Sequence, residues 1–167
     1  MKVGFLHGCC QDNAIFTSLM KPYCEIMKKT YGVTECIFIE AQYEHSRKGK
    51  TWFQRELELT KIGTDDISNE DIELTLSYVE DIIRKQNIEI LIGFSQGGNV
   101  MDTYLRTRNT DDHIKRAMIL NAYSFPRYVH LKPSLEKLVF ITSLQDDIVP
   151  HDILTENYDS TKKLVVS

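Results

Sequence analysis

The sequence predicts an α/β domain in which a mostly parallel sheet carries helices on both faces. Two observations favour this class. Short apolar runs rich in β-branched residues alternate with longer segments whose apolar residues recur at helical spacing. Glycine-containing turns follow the first and third of these runs. The chain has 167 residues, enough for one domain of ordinary size, so we expect a single domain over residues 1–167.

The first part of the chain predicts three strands and two helices in alternation. Asp12 or Asn13 can cap the first helix, Gly32 suits its end, and Ser68 can cap the second helix. Pro22 is expected to kink or divide the first helix. The strands are expected at residues 2–6, 35–39 and 88–92, and the helices at about 13–31 and 69–86.

The second part continues the alternation and brings the sheet to about six strands. A helix is expected to about residue 108, and a brief one through Ile153 and Leu154. The segment 123–133 contains two prolines and several aromatic residues, which indicates a loop beyond a strand end. The further strands are expected at residues 116–121, 138–142 and 163–166.

One excursion, residues 41–66, fits neither the helical nor the strand period. A long excursion inside a compact domain is usually a lid over a site or a disordered segment. Trp52 and Phe53 favour the lid, because disordered segments are poor in large aromatic residues.

Composition argues against several classes of partner. The formal net charge of −4, spread along the chain, offers no basic surface for nucleic acid or for anionic lipid. No signal peptide opens the sequence, and no apolar run approaches a membrane span. The four cysteines lack Cys-x-x-Cys spacing, so we expect reduced thiols in a cytoplasmic protein and no metal site. These residues are Cys9, Cys10, Cys24 and Cys36.

The most informative stretch runs from Gly93 to Gly97 and reads Gly-Phe-Ser-Gln-Gly between a predicted strand and a predicted helix. A strand that turns directly into a helix crowds its neighbours, and glycines at both ends of the turn relieve the crowding. Ser95 would then be exposed at the carboxyl edge of the sheet, beside the N–H groups that begin a helix. An oxyanion formed there would be stabilised.

Four features together resemble the α/β-hydrolase superfamily, and within it a family of small intracellular serine hydrolases related to carboxylesterases and acyl-protein thioesterases. They occur in the family order across nearly the whole chain, at residues 6–8, 51–53, 93–98 and 146–150. The resemblance implies an α/β-hydrolase fold with Ser95 as the nucleophile and Asp146 as the acid that orients a histidine. It also implies that the backbone N–H groups of Cys9 and Gln96 form an oxyanion hole, with no metal or organic cofactor.

The histidine of this family follows the last strand, whereas the present sequence stops at Ser167, at the end of its last predicted strand. We interpret His7, in the first turn, as structural. Three explanations stay open: the chain is shortened at its C-terminus and lacks the base, another histidine substitutes, or the fold serves as a binding module. His151, just beyond Asp146, is the best placed substitute.

The expected function is therefore cleavage of a small-molecule carboxylic ester or thioester through an acyl-serine intermediate. Trp52 and the loop that begins at Tyr123 would shape the acyl pocket, an inference from position and aromatic content alone. The alternative is a catalytically silent α/β-hydrolase-like module that binds an acyl ligand or a partner protein. Nothing in the sequence indicates a particular oligomeric state.

Overall fold

The main sheet confirms the predicted class. The computed structural model describes residues 1–54, 66–108, 113–134, 138–143 and 163–166. Its elements are β1 (Lys2–Leu6), α1 (Asn13–Tyr31), β2 (Glu35–Ile39), β3 (Tyr43–Glu44), β4 (Lys50–Thr51), α2 (Asn69–Gln86), β5 (Ile90–Phe94), α3 (Gln96–Thr107), β6 (Arg116–Leu120), a 3₁₀ turn (Pro126–Tyr128), β7 (Leu138–Ser143) and β8 (Lys163–Val166). Within these ranges six strands pair in the order β2-β1-β5-β6-β7-β8, and all five pairings are parallel.

Side-chain alternation along the strands divides the core between the two faces of the sheet. Val3 and Phe5 of β1 join the cluster that contains Phe16 of α1. Leu6 of β1 and Leu91 of β5 point the other way, into the cluster built with α2 and α3. Helices therefore cover both faces, as a parallel sheet requires.

Helix α1 begins and ends with the predicted caps but is not divided. The Asp12 carboxylate accepts a hydrogen bond from the N–H of Ile15 at 2.8 Å, and Gly32 ends the helix in the left-handed conformation, with φ 68°. Pro22 lies inside the helix, which continues past it. Phe16 and Cys24, on either side of Pro22, are both buried in the core cluster on this face of the sheet. Their packing offsets the backbone hydrogen bond that proline removes.

Helix α2 follows its sequence pattern closely. The Ser68 hydroxyl accepts a hydrogen bond from the N–H of Asp71 at 3.1 Å. The apolar residues of its buried stripe are Ile72, Leu76, Val79 and Ile83. Among the described helices, α2 included, none combines the length and apolar character that a membrane crossing needs.

The excursion contains a short hairpin that the sequence periods did not predict. Strands β3 and β4 pair antiparallel over two residues each, Tyr43 with Thr51 and Glu44 with Lys50. Trp52 and Phe53 follow the hairpin and are buried in the core. Of the remaining predictions, residues 55–65 of the excursion and the brief helix at Ile153 and Leu154 lie outside the described residues.

Candidate active site

Ser95 is the single residue between the end of β5 and the start of α3. Its backbone has φ 50° and ψ −123°, a conformation that residues with side chains rarely adopt. Hydrogen bonds hold it on both sides: its N–H donates to the carbonyl of Leu120 at 2.9 Å, and its carbonyl accepts from the N–H of Asn99 at 3.0 Å. The side chain is partly exposed. The predicted strand, tight turn and helix are thus present.

Two glycines in the first turn of α3 allow this turn to pack closely against neighbouring segments of the chain. A Cβ at Gly97 would lie 2.4 Å from the carbonyl oxygen of His7 and 2.5 Å from that of Leu6. A Cβ at Gly98 would lie 2.5 Å from the Cβ of Ala122. The close approach at Gly97 brings the chain that follows β1 beside Ser95.

Gly97→Ala is expected to destabilise the fold by about 1–3 kcal/mol, because the added methyl group meets the carbonyl oxygens of Leu6, the last residue of β1, and of His7, which the Trp52 indole N–H holds in place. Gly8→Ala is the matched control, since its Cβ would meet side chains, the nearest atom being a ring carbon of Phe94 at 3.0 Å. Urea unfolding of both variants measures the difference. Equal loss of stability in the two variants would show that the backbone contact at Gly97 is not limiting.

The start of α3 favours negative charge next to Ser95. The first N–H groups of any α-helix lack partners within the helix, and the helix dipole adds a partial positive charge at the same end. No acidic residue occupies the first turn of α3 to neutralise this charge. The arrangement can therefore stabilise an anion that develops at the Ser95 side chain.

The Gln96 side chain has a structural role that the sequence did not reveal. Its buried carbonyl oxygen accepts hydrogen bonds from the Thr51 hydroxyl and from the Trp52 N–H, both at 3.0 Å. These partners are 45 and 44 residues away in the sequence, so no local pattern could indicate them. Gln96 thereby ties the end of the β3–β4 hairpin to the turn at Ser95.

His7 and Trp52 make hydrogen bonds that position the turn after β1. The indole N–H of Trp52 donates to the backbone carbonyl of His7 at 2.7 Å. The Nε2 atom of His7 accepts from the N–H of Ala41 at 3.1 Å, so its Nδ1–H donates to the carbonyl of Gly8 at 2.8 Å. Burial lowers the pKa of His7, which keeps the ring neutral. These contacts match the structural interpretation of His7. Contact of the buried Trp52 with an acyl group stays a prediction.

Cys9 and Cys10 lie in the turn after β1, whose position is fixed partly by a hydrogen bond from the Gly8 N–H to the Gln11 side chain at 2.8 Å. Burial and the neighbouring Cys10 thiol raise the pKa of Cys9 to about 12. Cys9 is therefore expected to be a protonated thiol at neutral pH, a form that is a poor nucleophile. The role of its backbone N–H in an oxyanion hole stays a prediction.

Asn121 connects the carboxyl ends of β6 and β7, a role that the sequence did not indicate. It has φ 45°, its N–H donates to the carbonyl of Ile141 at 2.9 Å, and its side-chain oxygen accepts from the N–H of Ser143 at 3.1 Å. Ser143 is the last residue of β7. The sequence-predicted residues Asp146 and His151 follow β7 and lie outside the described residues.

The other three described histidines lie in three different segments of the chain. His45 lies in the turn between β3 and β4, with Nδ1 3.3 Å from the Cys10 sulfur. The Nε2 atom of His113 lies 3.5 Å from the hydroxyl of Tyr104 on α3. His130 is exposed in the loop after β6.

The loop after β6 is anchored to α3 by Arg106, which also forms a buried ion pair within the helix. Arg106 donates to both carboxylate oxygens of Asp102, at 3.0 and 2.9 Å, and also to the backbone carbonyls of Val129 and Leu131. Tyr123, at the start of this loop, is buried. Contact of Tyr123 with an acyl group stays a prediction.

Comparison with solved structures identifies the class of the fold. The chain superimposes on esterase PE8 with a TM-score of 0.68 at 16% identity, covering 98% of this chain and 80% of that one. The carboxylesterase of Bacillus cereus gives 0.66 at 15% identity, covering 98% and 76%. The carboxylesterase of Mesorhizobium loti gives 0.61 at 12% identity, covering 98% and 77%. These likenesses show an α/β-hydrolase fold.

Comparison of the sequence with models of protein families identifies the family. The family model described as "Serine hydrolase (FSH1)" matches residues 1–165, so the chain belongs to this serine hydrolase family. A search of curated protein sequences finds no significant match.

Proposed function

We propose that this serine hydrolase cleaves a small-molecule carboxylic ester or thioester through an acyl-serine intermediate on Ser95. The observation that carries the proposal is the backbone of Ser95, held at φ 50° between a central strand and a helix N-terminus. A conformation of this kind is costly and persists only where the surrounding contacts enforce it. Presentation of the Ser95 hydroxyl to a substrate would explain why the chain keeps this costly conformation.

The proposed reaction has two halves. The Ser95 hydroxyl attacks the acyl carbonyl carbon while a base takes its proton, and the tetrahedral intermediate expels the alcohol or thiol, which receives that proton. Water then hydrolyses the acyl-serine in the same way. The negative oxygen of each intermediate would accept hydrogen bonds from the backbone N–H groups of Cys9 and Gln96. The packing of Gly97 against the carbonyls of residues 6 and 7 supports this pairing.

The acid and the base are proposed from the sequence. Asp146 follows Ser143, the end of β7, by three residues, and β7 is separated from β5 only by β6. An acid at this position could orient an imidazole toward Ser95. His151 is the proposed imidazole.

The substrate class is proposed from the family and from the residues around the site. The buried aromatic residues Trp52 and Tyr123 belong to segments that we expect to border an acyl pocket. The names of the esterase and carboxylesterases with the same fold fit a small ester substrate. We also propose a cytoplasmic location, with which the four free cysteines agree.

Labelling with a fluorophosphonate probe tests the proposal, because the probe phosphonylates only an activated serine. We expect one label per chain, located at Ser95 by peptide mass mapping, and hydrolysis of a short p-nitrophenyl ester by the same preparation. The heat-denatured protein is the control for nonspecific reaction. A folded protein that neither takes the label nor hydrolyses the ester would contradict the proposal and favour a binding module.

A further inference from the structure

The turn after β1 and the β3–β4 hairpin bring together two thiols and an imidazole that the hydrolase chemistry does not use. The sulfurs of Cys9 and Cys10 are 3.5 Å apart, and the Cys10 sulfur is 3.3 Å from Nδ1 of His45. All three atoms lie within 4.8 Å of one another. We propose that Cys9, Cys10 and His45 bind one thiophilic divalent cation of the zinc class.

The distances suit a tetrahedral ion. Zinc bonds of about 2.3 Å to sulfur and about 2.0 Å to nitrogen, at tetrahedral angles, place two sulfurs about 3.8 Å apart and a sulfur and a nitrogen about 3.5 Å apart. The observed separations of 3.5 and 3.3 Å are each within a few tenths of an ångström of these values. The remaining separation, between the Cys9 sulfur and the His45 ring, is within 4.8 Å, so the three ligand atoms need only draw closer on that side to surround an ion.

The backbone of Cys10 explains how two consecutive residues can share one ion. Neighbouring side chains on an extended strand point in opposite directions. Cys10 instead has φ 62°, in the left-handed region that few residues with side chains adopt. The resulting turn brings its sulfur close to that of Cys9.

The hairpin holds this conformation in place. The Cys10 N–H donates to the carbonyl of Lys50 at 2.9 Å, and the Lys50 N–H donates to the carbonyl of Gln11 at 2.7 Å. Gly49 packs so closely that a Cβ there would lie 2.5 Å from the carbonyl carbon of Cys10. The hairpin that carries His45 is therefore fixed to the turn that carries both thiols before any ion arrives, which lowers the ordering cost of binding.

The Nδ1 atom of His45 is also suited to bind a metal ion. Its Nδ1 atom accepts a hydrogen bond from the N–H of Arg47 at 3.0 Å, so this nitrogen carries the lone pair that a metal needs. An ion would replace that hydrogen bond. Arg47 is exposed, so water can satisfy its N–H after the exchange.

Three protein ligands leave a fourth position for water or a small anion, and the exposed Cys10 gives access from solvent. Binding would replace the thiol protons with the ion. The site does not depend on the proposed acyl chemistry. The sequence predicted no metal site, because the cysteines lack Cys-x-x-Cys spacing, and the third ligand lies 35 residues from Cys10.

Cobalt titration of the reduced protein tests the site, since Co²⁺ replaces zinc and reports sulfur ligation through charge-transfer absorption. We expect the absorption to saturate at one equivalent and to disappear when Zn²⁺ is added. Cys10→Ser and His45→Ala should each weaken zinc binding by at least about 100-fold, because loss of an outer partner of a ligand already costs about 10- to 100-fold. Circular dichroism checks that both variants fold.

Cys36→Ser is the matched control, a thiol outside the cluster, and it should bind zinc as the parent chain does. Absorption that saturates at one equivalent, needs both Cys10 and His45 and survives in Cys36→Ser supports the site. Binding that persists unchanged in His45→Ala would overturn it, as would saturation at several equivalents or a charge-transfer band that never appears.

Discussion

Ser95→Ala is expected to lower kcat for a p-nitrophenyl ester by about 10⁴- to 10⁶-fold and to abolish fluorophosphonate labelling. The hydroxyl oxygen is the atom that would form the acyl bond, and no neighbouring group replaces it in the proposed reaction. Alanine and serine have similar difficulty at φ 50°, so the variant should keep the strand, turn and helix around the site. Ester hydrolysis and labelling, measured beside unfolding in urea, separate lost chemistry from lost structure.

The matched control is Ser18→Ala, which removes a hydroxyl from an exposed position of α1 and should change neither activity nor labelling. His151→Ala tests the proposed base in the same assays, with the exposed His130 replaced by alanine for comparison. Full activity in His151→Ala would rule out His151 as the base and leave Ser95 assigned. Full activity in Ser95→Ala would refute the acyl-serine mechanism itself.

Arg106→Met is expected to lower the free energy of unfolding by about 3–5 kcal/mol, the usual cost of leaving one member of a buried ion pair without its partner. The Asp102 side chain is completely buried and that of Arg106 is 3% exposed. Removing the guanidinium also leaves the carbonyls of Val129 and Leu131 without that donor. Urea unfolding measures the loss.

Two further variants show whether burial is the cause. Lys85→Ala breaks an ion pair of the same i,i+4 spacing with Asp81 on α2, but those side chains are 73% and 68% exposed. It should cost at most about 0.5 kcal/mol. Asp102→Leu combined with Arg106→Met should recover part of the loss, because no buried charge then lacks a partner. A double variant as unstable as the sum of its singles would contradict this account.

The elements that the sequence predicted well are those whose burial repeats with a regular period. The stripe of α2 recurs at helical spacing because one face of this helix packs against the sheet, whereas successive residues of β1 pack on opposite faces of the sheet, so in both elements the sequence pattern indicates the structure. Strand β5 was predicted two residues early. Ile88 is apolar and buried, but its N–H completes the end of α2 by donating to the carbonyl of Ile83.

The features that the sequence did not predict depend on contacts between distant segments. Strands β3 and β4 have two residues each, too few to show a period. Asp102 and Arg106 have the spacing of an ordinary solvated helix pair, and only the loop that covers them makes the pair buried. The meeting of His45 with Cys10 requires the hairpin to fold onto the first turn.

Within the candidate site, local features were also predictable, and contacts between distant segments were not. The position of Ser95 was predictable because it depends on a local turn between a strand and a helix, and the structure has that turn. The side-chain role of Gln96 was not predictable, because its partners belong to another segment.

The position of β5 inside the sheet has a consequence for motion at the site. It is the third of the six strands described in the main sheet, and it is hydrogen-bonded on both sides, to β1 and β6. Fraying at either outer strand, β2 or β8, would leave those two ladders closed, so amide hydrogens of β5 should exchange with solvent among the slowest in the molecule. Ser95, which follows β5 directly, is therefore expected to keep its backbone position when the outer strands fray.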